Sequence, residues 1–311
     1  MPNYFEEEDV APGFELTDRT EMIRALQATD PDWKKPEHAV KLIKSSWRPD
    51  LVKGNTEVCH IHTIAGVGNA WKKRFKEALE AGIKVHVAAP LDLWYSSETL
   101  VELDMHEVTP IVLETNSASS SINWTATYFA SIAELIALKN LKLDTDVVKQ
   151  IGRRLFMRSF DKGNSDEVGR RFEDFISLLF SQVSYFQVYK RNFENKTEEI
   201  DLVLINRRVN ERVLPNSPIV LVSAKNTKDS VGVRALSTLQ VKMSNRRGMC
   251  KLGFLCASRH IAMTVSDQAL RSSHEERVIV PLSGTQLKHL IDNAEKIDEE
   301  IERLVLEAAL T

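Results

Sequence analysis

Ile219-Val-Leu-Val-Ser-Ala-Lys-Asn226 (IVLVSAKN) is an apolar, β-branched run that ends in a lysine and an asparagine. Four apolar residues in succession, then an alanine behind a lone serine, read as a strand buried on both faces. Side chains alternate faces along a strand, so Leu221, Ser223 and Lys225 share one face and Val220, Val222 and Ala224 the other. About twenty residues upstream, Thr197–Arg208 (TEEIDLVLINRR) holds a second apolar run that starts beside Asp201. Glu199, Asp201 and Val203 share a face of that strand. Two neighbouring buried strands would then bring a carboxylate and an ammonium to their wet ends, over a packed core.

Working outward, the order of elements predicts an α/β fold in two parts. Asp161–Asp166, inside DKGNSDEVGRRF, is the clearest polar break. After it the patterns predict a helix at 167–181 and strands at 185–190, 200–205 and 219–223. A helix at 231–245, a strand at 252–256, a helix at 264–271, a strand at 277–281 and a helix at 285–309 follow. In the first of these helices Phe172, Ile176, Leu179 and Phe180 form the apolar stripe, with Glu173 at its edge.

Before the break, residues 1–50 read as a polar lead-in with a short helix near 19–28, and residues 51–160 as an N-terminal α/β domain with a helical extension. Strands are expected at EVCHIHT (57–63), IKVHVAA and TPIVLET, with a helix through Trp71, Phe75, Ala78 and Leu79 that Gly82 closes. LDLWYSSETLVELDM and the long SINWTATYFASIAELIALKNLKL segment read as helices, as does TDVVKQIGRRLFMRSF, capped near Thr145. TIAGVGNAW (63–71) sets two glycines between a strand and a helix without the lysine-threonine pair of a P-loop, and reads as a tight turn. His60 and His62 share a strand face but have no acid or cysteine at ligand spacing beside them.

Bulk properties narrow the classes. A 311-residue chain with 43% hydrophobic residues can bury one large or two modest cores. Three scattered cysteines, Cys59, Cys250 and Cys256, exclude a disulfide framework and fit a reducing compartment. The acidic start MPNYFEEEDV lacks the order of a signal peptide, and no run reaches membrane-span length, so a cytoplasmic protein without a membrane partner is expected. The net charge of −3 does not announce nucleic acid, but seven basic residues and one acid lie between Lys225 and Lys251. Lys228, Arg234, Lys242, Arg246, Arg247 and Lys251 are therefore candidate phosphate contacts. Leu287, Leu290, Ala294, Ile297, Ile301, Leu304 and Ala308 recur at heptad spacing along 285–309, a stripe that serves either its own domain or a homodimer seam.

An acid and a lysine at the ends of adjacent strands suit metal-assisted phosphodiester chemistry. Mg2+ takes oxygen ligands, a few of them carboxylates. One acid is too few, which draws in Glu173 and Glu199. From Arg171 to about Ile291 the chain resembles the PD-(D/E)xK, restriction endonuclease-like nucleases, nearest their Mrr-like branch. Glu173, Asp201, Lys225 with Asn226, and NRRGMCKLGFLCAS (245–258) carry the resemblance.

It implies a central mixed sheet flanked by helices, Mg2+ held by Asp201 with Glu173 or Glu199, and Lys225 assisting the attacking water. DNA is the implied substrate, in restriction or antiphage defence, with a homodimer to make two cuts and a protein partner or effector at the N-terminal domain. Where the family carries Glu or Asp two residues before the lysine, this chain has Ser223. Three accounts stand open: the second acid has moved to 173 or 199, the module binds without cutting, or this is an inactivated form of an active enzyme.

Overall fold

A computed structural model describes residues 16–42, 44–62, 68–105, 107–116, 123–194, 198–208, 216–265 and 277–310. Its chain contacts divide it into two units, Met1–Leu135 and Ile136–Thr311.

In the first unit, α1 (Leu16–Thr29) is followed by a small antiparallel pair, β1 (Val40–Lys41) and β2 (Ser46–Trp47). Residues 16–50 are more than a lead-in: Met22, Leu26, Trp33 and Trp47 are all buried. Aromatic and long aliphatic groups of this size each gain about 1.5–3 kcal/mol from burial, which offsets the ordering of a polar segment. The sheet runs β3 (Leu51–Lys53), β4 (Glu57–Ile61), β5 (Lys84–Pro90), β6 (Thr109–Asn116), β7 (Asn123–Tyr128) in that spatial order. β4, β5 and β6 are parallel, as the alternation of strands and helices predicts, and the two edge strands are antiparallel. Helices α2 (Asn69–Glu80) and α3 (Ser97–Met105) make the crossovers, and Gly82, at φ 70°, ends α2.

One sequence expectation fails here. The segment beginning SINWTATYF is not one long helix. Asn123–Tyr128 pairs with β6, and only Ile132–Leu138 (α4) is helical. The reason is periodicity: Trp124, Ala126 and Tyr128 alternate onto the cluster around Met22, Leu26 and Trp33, while two threonines fill the other face. Part of the TIAGVGNAW turn, residues 63–67, lies outside the described residues.

In the second unit α5 (Thr145–Arg158) packs against α6 (Ser165–Gln182). The division at Leu135/Ile136 therefore falls well before the polar break at Asp161–Asp166. Asn164 caps α6, its Oδ1 accepting from the Glu167 amide at 2.9 Å. The sheet order is β12-β11-β10-β9-β8, with β8 (Phe186–Glu194), β9 (Glu199–Asn206), β10 (Ile219–Lys225), β11 (Leu252–Ala257) and β12 (Val278–Leu282). β10, β11 and β12 are parallel, and β8, β9 and β10 are antiparallel: a mixed sheet between helices.

Adjacent residues of β11 show how the layers form. Phe254 meets Phe180 of α6 at 4.8 Å between ring centroids, whereas Leu255 joins Leu236, Leu239 and Met243 of α7 (Val233–Ser244). The predicted helix at 264–271 falls almost entirely outside the described residues.

The C-terminal helix is broken. α8 (Gly284–Asp292) opens with a Ser283/Gln286 capping box and stops at Asn293, and α9 (Ile297–Leu310) begins after one turn of 3-10 helix. Leu287, Leu290, Ile297, Ile301 and Leu304 of the heptad stripe are buried in their own unit, where α8 packs on α5 and α9 on β12. These five residues are core of their own unit, and Ala294 and Ala308 are half-buried. No helix among the described residues is long and apolar enough to cross a membrane.

Candidate active site

β9 and β10 pair with Val222 opposite Leu202 and Leu221 opposite Val203. One step further along this register Asp201 lies opposite Ser223. Its side chain is only 11% exposed, and its Oδ2 accepts two hydrogen bonds with a cation nearby. The Ala224 amide donates at 2.6 Å, the Ser223 hydroxyl donates at 3.2 Å, and Lys225 Nζ stands at 3.6 Å. The acid and the lysine anticipated from the sequence thus form one ion pair. Ser223 occupies the position of the expected second acid and hydrogen-bonds to the first. An acceptor-only carboxylate in its place would face Asp201 across the ladder as a like charge.

Glu173 comes from the third turn of α6 and is half-buried. Burial, and next the negative charge of Asp201, push its proton affinity up, against Arg191 and a side-chain hydrogen bond from Asn192. Glu173 therefore lies within electrostatic reach of Asp201. Glu199 stands exposed at the start of β9, where its backbone carbonyl accepts from Lys242 Nζ. Of the two candidate auxiliary acids, Glu173 is the one that feels Asp201.

Three residues that sequence reading left without a role complete the surroundings. Arg191 on β8 is 6% exposed and pairs with Asp174 at 2.6 Å. Asn192 follows it. Asn226 donates from Nδ2 to the Ser159 carbonyl at 2.9 Å and the Val168 carbonyl at 2.8 Å. The asparagine that ends IVLVSAKN therefore ties the end of α5 and the start of α6 to β10, which sets the height at which Glu173 enters. An asparagine after a buried strand lysine was a visible signal, though its partners were not.

Around Asp201 three carboxylates, Glu173, Asp174 and Asp201, face two cations, Arg191 and Lys225. The cluster carries an excess negative charge. Among the described residues no group of three or more His, Cys, Asp or Glu side chains converges as a metal site. Two carboxylates suffice for a magnesium ion that keeps several waters and shares substrate phosphate. Asp201 and Glu173 are the two that could hold one.

A cavity of about 400 Å³ opens beside Lys225, lined by Thr227, Asp229, Ser230, Gly232 and Arg234 at the N-terminal end of α7. Arg234 and Lys228 are exposed on this side. The rest of the basic stretch lies at the other end of α7. There Lys242 binds the Glu199 carbonyl, and Arg246 pairs with Glu198 at 2.8 Å and lies over Phe193. Their shared helix face, read as a solvent-facing phosphate surface, is engaged with the chain's own β9. Arg247 sits in the turn that ends α7, at φ 51° and exposed, and Lys251 precedes β11 half-buried.

In the first unit, His60 and His62 belong to a structural cluster. Asp50, immediately before β3, reaches His60 Nδ1 at 3.2 Å, the Ile61 amide at 2.8 Å and Arg19. The His60 ring stacks on Trp71 at 3.7 Å.

Comparison with known families places this geometry. Residues 166–291 match the restriction endonuclease family Mrr_cat. The match covers less than half of the chain and lies wholly within the second unit. It spans α6 to α8, and so contains Glu173, Asp201, Ser223, Lys225 and Asn226. The Mrr_cat domain has the mixed, helix-flanked sheet expected from the order of its elements. No curated protein and no solved structure matches the chain.

Proposed function

We propose that the Mrr_cat domain is a Mg2+-dependent DNA endonuclease whose second carboxylate comes from Glu173 on α6 instead of from the strand that carries the lysine. The observation that carries this reading is the meeting of Asp201 with Lys225 at 3.6 Å, while Glu173 feels the Asp201 charge. Asp201 and Glu173 would hold the metal. When bound, the ion would supply Lewis-acid stabilisation of a phosphoryl oxygen and a more acidic water.

The Lys225 side chain is 38% exposed, beside the cavity at the start of α7. It orients the attacking water or stabilises negative charge developing on the phosphate. Arg234 and Lys228 flank the same opening and hold neighbouring phosphates. The biological setting that fits is restriction or defence against foreign DNA. The first unit is then the place for a partner or effector.

A second reading has its own support. The Asp201 Oδ2 is already taken by a serine, an amide and a lysine. A domain that binds DNA without cutting would tolerate that arrangement. A titration of the whole protein with Mg2+ separates the two. The endonuclease reading expects saturable binding that Asp201→Asn and Glu173→Gln each weaken at least tenfold. Binding absent in the unmodified chain, with DNA affinity indifferent to Mg2+, would favour the second reading.

A further inference from the structure

We propose that the first unit carries a nucleotide-binding site: a cavity lined by residues 32–41 and the β3–β4 hairpin, where lysines take the phosphates and Glu57 accepts from the sugar hydroxyls. The site lies wholly within the first unit and stands apart from the metal-site reading of the second.

The cavity measures about 830 Å³, within the roughly 300–1,000 Å³ of small-ligand sites. Main-chain pairing fixes its wall. Lys34 and Val52 exchange both backbone hydrogen bonds, at 2.9 and 2.8 Å, which anchors residues 32–41 on β3, the edge strand of the sheet. Buried Trp33 holds the same segment, its Nε1 donating to the Tyr128 hydroxyl at 3.0 Å. A wall already in place costs a ligand little ordering.

The polar lining divides into groups that are tethered and groups that are free. Lys53 and Glu57 are register partners across β3 and β4. Lys53 Nζ is held by Asp30 at 2.9 Å and approached by Asp32 at 3.9 Å, and Glu57 Oε2 lies 2.7 Å from His86 Nε2. Burial pushes the His86 pKa down to about 4, so at neutral pH the histidine leaves the Glu57 charge uncancelled. Lys34, Lys35 and Lys41 line the cavity exposed and make no ion pair among the described residues, and Glu37 is the one lining acid in the same state. Three free lysines against one free acid favour an anion, and the lysine ammonium is a point-charge partner of phosphate.

The rest of the lining suits the body of a nucleotide. Val40, Val52, Val58 and Ile83 offer apolar surface to a base. A carboxylate has about four acceptor positions, and the histidine takes one at Glu57. Vicinal ribose hydroxyls are donors that can use the others, as they use an acidic residue in dinucleotide-binding folds. A bare phosphate would engage the lysines alone.

Equilibrium dialysis of the full chain tests this with the four ribonucleoside triphosphates, inorganic triphosphate and a short DNA duplex. Chelator is present throughout, so the Asp201 site takes no part. At least one nucleotide is expected to bind saturably and more tightly than inorganic triphosphate. Lys34→Ala and Lys41→Ala together should weaken it roughly tenfold with an unchanged melting curve, because both side chains are exposed. Glu57→Gln should weaken the nucleotide several-fold and leave triphosphate binding as in wild type.

No saturable nucleotide binding, or binding untouched by the lysine variant, overturns the proposal. So does triphosphate that binds as tightly as the nucleotide, which would make the lysines a bare anion patch. Duplex DNA that binds more tightly than any nucleotide and is weakened by the same lysine variant also overturns it, in favour of a nucleic-acid surface. Cleavage is read in none of these arms, so the nuclease reading stands or falls separately.

Discussion

Asp201 on β9 and Ser223 on β10 stand opposite each other, and the serine hydroxyl donates to Asp201 Oδ2 at 3.2 Å. That contact makes the departure from the family pattern a test. Replacing Ser223 by glutamate adds a carboxylate next to Asp201 where the chain now has a donor. Without metal, S223E should lower the thermal midpoint by like-charge repulsion. With millimolar Mg2+ the midpoint should recover by more than it does in wild type, because a ligand that binds only the folded state stabilises it. Differential scanning calorimetry with and without Mg2+ reads both arms. A variant whose midpoint ignores Mg2+ would argue against a metal position between these strands.

Asn226 ties three elements together through two carbonyls of the α5–α6 region. Asn226→Ala leaves those carbonyls to find other donors and should cost about 1–3 kcal/mol in urea unfolding. Because α6 carries Glu173, the same variant should weaken Mg2+ binding while leaving Asp201 in place. Full stability with wild-type metal affinity would mean that Asn226 merely occupies space.

The first unit should respond to acid through His86. Burial pushes its pKa down to about 4, although Glu57 lies 2.7 Å from its Nε2. The unfolded chain, with an ordinary histidine, binds more protons between roughly pH 6.5 and 4. Stability is therefore present above pH 6.5 and is lost as pH falls toward 4, by about 2 kcal/mol on reaching pH 5. Denaturation of wild type and His86→Gln at pH 7 and pH 5 measures it: the variant should lose less stability over that interval. Equal slopes would place the acid sensitivity elsewhere. Burial lowers the pKa of His60 as well, so it contributes with the same sign.

Gly284 begins α8 hard against the main chain after β11. A Cβ there would sit 2.1 Å from the Ser258 carbonyl oxygen. Backbone cannot yield as a side-chain tip can, so Gly284→Ala should destabilise the second unit by roughly 3 kcal/mol. A melting curve indistinguishable from wild type would show that this joint relaxes freely.

How much of this was readable beforehand depended on whether the signal was local. The strand order of the second unit followed from hydrophobic runs, though its start did not follow from the polar break, and β10 was legible from seven residues because burial on both faces writes an unbroken apolar run. Alternation gave the faces of Asp201 and Lys225, and their meeting follows from the pairing of β9 with β10. The strand at Asn123–Tyr128 was misread because its apolar residues adjoin those of α4, and one continuous stretch hid a change of period from 2 to 3.6. The break at Asn293 was invisible because the heptad spacing survives it. Arg191 gave no sequence signal: its pairing with Asp174 arises only once β8 lies beside α6. The engagement of Arg246 with Glu198 was hidden too, since residues so far apart in sequence meet only when the C-terminal end of α7 comes near the start of β9.

Cleavage of supercoiled plasmid DNA tests the central claim most directly. The full chain with Mg2+ should convert supercoiled to open-circular DNA, chelation should stop it, and Lys225→Ala should reduce it at least a hundredfold. No nicking by the wild-type chain with Mg2+, and none by S223E either, would contradict the account and leave a DNA-binding domain that shares the nuclease fold without the reaction.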